Sequence, residues 1–212
     1  LDIRGAGNLL GEEQSGQIAE VGFELYQQML EDEMDRLRAG AGTMVETEGA
    51  WAPQINLGVP VLIPEPYVPD LDVRLGLYRR LAALSTKVEL EGFAAELIDR
   101  FGPLPREVNT LLLVVRIKAM CRRAGIAKLD GGPKGATVQF HADRFASPAG
   151  LVAFIAAQGG AARIAGNKLV VLRDWPTEAE RIKGAFAVAR DLAERAADPE
   201  PEAAGAPVAP PA

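Results

Sequence analysis

Residues 124–140 read AGIAKLDGGPKGATVQF, and within them the apolar period changes from that of a helix to that of a strand. Ala136, Val138 and Phe140 alternate with Thr137 and Gln139 after a Gly131, Gly132, Pro133 turn, which predicts two strands joined in a hairpin. Further along, Ser147 followed by Pro148 predicts a capped helix start. Ala162 to Ala165 and Lys168 to Leu172 flank Gly166 and Asn167 as a second hairpin, and Thr177 with Glu180 predicts a capping box on a last helix ending near Ala196. The order strand, strand, helix thus occurs twice, and the expectation is an α+β domain with a small antiparallel sheet and helices on one face.

Toward the N-terminus the pattern is helical. Val108, Leu111, Leu112 and Val115 mark a helix from about Pro105 to Ala124 that stops at Gly125. Before it, Thr86 and Glu89 form a capping box for a helix carrying Leu90, Phe93 and Leu97, ended by Gly102 and Pro103. Asp70 is placed to cap a helix carrying Leu71, Leu75, Tyr78 and Leu81. The preceding VLIPEPYVP, residues 61–69, has three prolines, which exclude a helix interior and favour an extended path across a surface; Ile55 to Val59 is β-like. These elements place one domain at 55–197, led by a polar and glycine-bearing linker at 43–54.

The first residues differ in kind. Leu1 to Gly16 read LDIRGAGNLLGEEQSG, loop chemistry, and are followed by an amphipathic helix in which Ile18, Val21, Leu25 and Met29 recur at helical spacing. The glycines do not form a phosphate loop, because Gly11 is followed by Glu12 and Glu13 rather than Lys and Ser or Thr, and Gly5, Gly7 and Gly11 lack the third spacing of a dinucleotide fingerprint. What the loop offers is Arg4 beside Gly5, and Gln14 followed by Ser15 and Gly16. At the other end, 198–212 combines Pro, Ala and acid with no aromatic residue, the composition of a disordered tail.

The bulk properties narrow the function. The chain has 212 residues and a net charge of −6, which argues against a free-standing basic nucleic-acid binder and leaves room only for local contact. Its first residue is Leu rather than Met, inside a motif-dense stretch, so the chain reads as a fragment. No apolar run approaches the ~20 residues needed to cross a bilayer. Cys121 is the lone cysteine, which excludes an internal disulfide and fits a reducing cytoplasm; His141 has no second His or Cys to complete a metal site. Cys121 beside Arg122 and Arg123 reads as a packing residue, while Arg79, Arg80, Arg122 and Arg123 are phosphate contacts or solvated helix ends.

Two blocks in order carry a family resemblance. LDIRGAGNLLGEEQSGQI with GFELYQQMLEDEM resembles the translocation motif shared by RecG-type translocases and the transcription-repair coupling factors. INLGVP, LIPEPYVPDLDVRLGLYRRLA, ELIDRFGPLP and AGIAKLDGGPKGATVQF resemble the terminal domain of the coupling factors alone. The resemblance covers residues 1 to about 195. It implies that 1–42 is the end of an ATP-driven double-stranded DNA motor, with Arg4, Gly5, Gly7, Gly11, Gln14, Ser15 and Gly16 coupling hydrolysis to movement. It implies that 55–197 is a regulatory domain docking on the N-terminal region that recruits the UvrA repair protein. Glu96 and Asp99, three apart on one helix, fall where the family places that contact. ATP and Mg belong to the upstream motor and RNA polymerase is its target; no cofactor is expected in this chain. A non-catalytic interaction domain of another helicase-like protein, or an unrelated enzyme using the glycine loop for a nucleotide, are the alternatives.

Overall fold

Four of the helix starts are held by side chains that the sequence already names. In a computed structural model, which describes residues 52–197, the Asp70 carboxylate accepts the Val73 N–H at 2.9 Å and opens α1, Leu71–Ala83. Thr86 and Glu89 satisfy each other's backbone N–H groups at 3.2 and 2.9 Å and open α2, Lys87–Phe101. Ser147 Oγ accepts the Gly150 N–H before α4, Pro148–Ala157, and Thr177 with Glu180 repeats the reciprocal box before α5, Glu178–Ala197. Each cap satisfies donors that have no partner within the helix. Between α2 and α4, α3 spans Arg106–Arg123.

The chain divides into two units. The first comprises, among the described residues, Pro60–Arg116. Its core gathers Leu77, Tyr78 and Leu81 from α1, Leu90, Phe93 and Leu97 from α2, and Val108, Leu111 and Val115 from α3. The proline-bearing stretch before α1 joins this core, since Ile63 and Val68 are buried in it. Its polar groups are used as well. The Ile63 N–H donates to Tyr78 Oη at 2.7 Å, and the Tyr67 hydroxyl lies 2.9 Å from the Gly102 carbonyl oxygen and 3.1 Å from that of Leu97. Tyr67 thereby supplies a donor to carbonyls at the end of α2, where Gly102 takes a φ of 88° that suits glycine.

The second unit comprises residues 52–59 and 117–197. Its sheet has the order β1-β2-β3-β5-β4, with β1 Gln54–Asn56, β2 Ile126–Gly132, β3 Gly135–Phe140, β4 Ala162–Ala165 and β5 Lys168–Leu172. The two expected hairpins are present, and β3 pairs antiparallel with β5. Gly166 takes a φ of 61° in the second turn. The expectation of a wholly antiparallel sheet is corrected at one edge: β1 pairs parallel with β2, Ile55 opposite Leu129. A parallel neighbour needs a long crossover rather than a hairpin, and the stretch that holds α1, α2 and α3 supplies it. Gln54, expected as the last residue of the linker at 43–54, belongs to β1.

One face of the sheet is covered. Leu129, Val138 and Leu169 are register partners and fully buried, and α5 turns Ala185, Ala189 and Leu192 inward. Helix α4 packs on α5, and Gly150 lies against the Arg195 carbonyl. Cys121, on α3, is buried. Residues 1–51 and 198–212, which hold the glycine loop, the amphipathic helix, most of the linker and the tail expected from the sequence, lie outside the described residues.

Two helical glycines separate packing from propensity. A Cβ on Gly184 would run into the indole ring of Trp175, whereas one on Gly76 would meet nothing. Gly184→Ala is predicted to destabilise by about 1–3 kcal/mol and Gly76→Ala to stabilise by about 0.5–1 kcal/mol, measured by urea denaturation. Equal effects of the two substitutions would contradict this packing.

Candidate functional site

Helix α2 turns Leu90, Phe93 and Leu97 to the core of the first unit, so its opposite side is presented to solvent. That side carries Val88, Glu91, Ala95, Ile98 and Asp99 at helical spacing. Val88 is 77% and Ile98 49% exposed, so this face mixes apolar and acidic groups rather than being a uniformly charged, solvated one. Glu91 lies 3.3 Å from Lys87 one turn earlier.

Glu96 and Asp99, expected to act together, stand in different surroundings. Glu96 is gripped by two arginines. Arg80 of α1 donates to both carboxylate oxygens at 2.7 and 2.6 Å, and Arg100, one turn along α2, donates to Oε1 at 3.0 Å. Arg80 also stacks over the Phe93 ring at 5.2 Å, and Arg100 over Phe101 at 4.9 Å. These donors hold the Glu96 carboxyl down to about 2, Arg80 contributing most and Arg100 next. Asp99 is exposed and has no ion-pair partner among the described residues. Its carboxylate is therefore the accessible one, while Glu96 joins α1 to α2 and sets the edge of the face.

Other residues singled out in the sequence resolve simply. Arg80, a candidate phosphate contact, is committed to Glu96; Arg79, Arg122 and Arg123 are exposed. His141 follows β3 directly, in the short turn His141–Asp143, where its N–H donates to the Gly125 carbonyl at 2.7 Å. Burial pushes the Cys121 thiol up to about 12, which makes it a poor nucleophile whatever the neighbouring arginines contribute. Among the described residues no group of three or more His, Cys, Asp or Glu is arranged to hold a metal, and no helix is long and apolar enough to cross a membrane. Arg4, Gly5, Gly7, Gly11, Gln14, Ser15 and Gly16 lie outside the described residues. The i, i+4 spacing of Glu96 and Arg100 was visible in the sequence, but Arg80, sixteen residues before Glu96, was not.

Residues 57–151, which include α1, α2 and this face, match the TRCF domain family. The chain carries a TRCF domain. Over 197 residues, 92% of the chain, it is 38% identical to the transcription-repair-coupling factor of Escherichia coli (strain K12). It is 50% identical over 140 residues, 66% of the chain, to the protein of the same name from Rickettsia prowazekii (strain Madrid E). The chain spans only 17% and 12% of the length of these two relatives. A crystal structure of the C-terminal domain of transcription-repair coupling factor superposes with a TM-score of 0.55 at 22% identity, covering 68% of this chain and 93% of that one. The α+β fold is thus that of the TRCF C-terminal domain.

The Glu96 cluster of the TRCF domain has a pH signature. Because the folded-state carboxyl sits at about 2, below its ordinary 4.5, the contact stabilises the fold fully above pH 4.5 and that stabilisation is lost as pH falls toward 2. Glu96→Gln is predicted to cost about 0.5–1 kcal/mol at pH 7, the scale of a partly exposed ion pair, and the difference from the parent chain should close between pH 4.5 and 2. Urea denaturation across that range checks it; a difference undiminished at pH 2.5 would contradict the cluster.

Proposed function

We propose that this chain is the C-terminal part of an ATP-dependent double-stranded DNA translocase that displaces stalled RNA polymerase and recruits nucleotide excision repair. Within that protein the TRCF domain acts as a brake. Its α2 face docks on the N-terminal region that binds UvrA and keeps that region covered. The observation that carries this reading is the exposed Asp99 beside Ile98 and Val88, on a helix fixed at its start by Thr86 and Glu89. An exposed apolar pair gives area to bury, and the adjacent carboxylate gives direction toward a basic partner. Glu96, already neutralised by Arg80 and Arg100, contributes by shaping the face, and an incoming arginine would have to share or displace one of those two donors.

The glycine-rich segment supplies the other half of the proposal. Arg4 and Gln14, with Gly5, Gly7, Gly11, Ser15 and Gly16, would pass the closure of the motor lobes to the DNA track, since a single charge-assisted contact of ~1.5–3 kcal/mol suffices to bias a two-state element. ATP and Mg serve the motor. The chain's own glycine loop lacks the Lys and hydroxyl residue that would hold them.

Charge reversal tests the brake. In the full-length protein, Asp99→Lys, alone and with Glu96→Lys, is predicted to raise the affinity for UvrA at least tenfold at low salt, with the gain shrinking as salt screens the dock. Asp99→Lys alone leaves the Arg80 and Arg100 contacts in place, so its effect is not a folding defect. Unchanged UvrA affinity in both variants would contradict the assignment.

A further inference from the structure

Charge is distributed unevenly along this acidic chain. The described part of the second unit, residues 52–59 and 117–197, holds thirteen Lys and Arg against seven Asp and Glu, a net +6 within a chain of −6. The helices α4 and α5 cover one face of its sheet, and on the other face no residue is buried except glycine. The register places the side chains of that open face in two polar rows beside a third of Gly132, Gly135 and the half-exposed Leu172. One polar row runs Gln54, Lys128, Gln139, Lys168, Ala165, and the other Asn56, Asp130, Thr137, Val170, Arg163. Three cations thus share a face with one carboxylate, Asp130, which lies 3.3 Å from Lys128. Lys168 and Arg163 are exposed and have no ion-pair partner among the described residues.

We infer that this open sheet face is a contact surface for the phosphate backbone of duplex DNA. Its composition separates the candidates. Protein interfaces are depleted of charge at their centre and enriched in aromatic residues, whereas DNA interfaces are polar and positively charged. Here the centre is Lys128, Asp130, Thr137 and Gln139, and no aromatic side chain stands in either row. The lack of aromatic residues also disfavours single strands, whose bases need stacking platforms. Gln54, Asn56, Thr137 and Gln139 are suited to donate to phosphate oxygens, and Lys128 and Lys168, two strands apart, are about 10 Å from one another. The face measures roughly 20 Å by 17 Å by strand spacing and length, smaller than a self-sufficient DNA-binding module. It is an auxiliary, sequence-independent contact, and it does not depend on the docking of α2.

The test uses the whole 212-residue chain and a fluorescent 30-base-pair duplex, with anisotropy read between 20 and 200 mM salt. Binding is expected, with a slope of log affinity against log salt of about −2 to −3 for two or three phosphates engaged. The pair Arg163→Glu with Lys168→Glu should weaken binding at least tenfold and reduce the slope by about 1 to 2. The neutral pair Arg163→Gln with Lys168→Gln should fall between, and Lys183→Glu, on α5, should stay within twofold of the unsubstituted chain. Circular dichroism of each variant confirms that the edge hairpin is intact. No binding at 20 mM salt, equal effects of the edge pair and Lys183→Glu, tighter binding to single-stranded thymidine homopolymer, or equal competition by polyglutamate of the same charge would each overturn the inference.

Discussion

Glu96 is where the helical unit is tied together. A carboxylate held bidentately by Arg80 from α1 and again by Arg100 from its own helix fixes how α2 lies against α1, and two aromatic rings beneath those arginines keep the guanidinium planes in place. The other restraints on α2 act at its ends: the reciprocal box of Thr86 and Glu89 at the start, and Tyr67 reaching to the carbonyls of Leu97 and Gly102 at the finish. With both ends and the middle held, the outer side of α2 is a defined surface. Asp99, Ile98 and Val88 are presented there without having to be ordered by a partner, which lowers the entropic cost of any dock they make.

Much of this architecture was legible in the residues because it is built from local rules. Helix caps and capping boxes span four residues and hairpin turns two, so Thr86, Ser147, Thr177 and Gly166 announced their elements without any knowledge of the fold. The features that stayed hidden are long-range. The parallel pairing of Ile55 with Leu129 joins residues on either side of three helices, and a three-residue strand carries no period to read. Val61 to Pro69 looked like a surface strap, yet Ile63 and Val68 are core, because prolines specify an extended path without saying what lies beneath it. The candidate site was half legible for the same reason. Helical spacing placed Glu96 and Asp99 near one another, but only the tertiary fold brings Arg80 to Glu96 and so makes the two carboxylates unequal.

The two units also differ in chemistry, each described on its own terms. The helical unit is close to neutral, with eight acidic and seven basic residues between Pro60 and Arg116, and offers an apolar and acidic strip. The sheet unit is basic, with its charge spread over an open, polar face. A strip of the first kind suits a protein surface and a face of the second kind suits a polyanion. Both readings are of binding surfaces, each argued from the residues of its own unit.

We propose that the α2 face is covered in the full-length protein. Asp99→Cys places a thiol on that face, and Cys121, buried with its thiol pushed up to about 12, does not compete for reagent. Maleimide labelling at position 99 should be at least tenfold slower in a full-length protein cleared of other exposed cysteines than in this chain. Deletion of the N-terminal UvrA-binding region should restore the faster rate. Equal labelling rates in the full-length protein and in this chain would contradict the account.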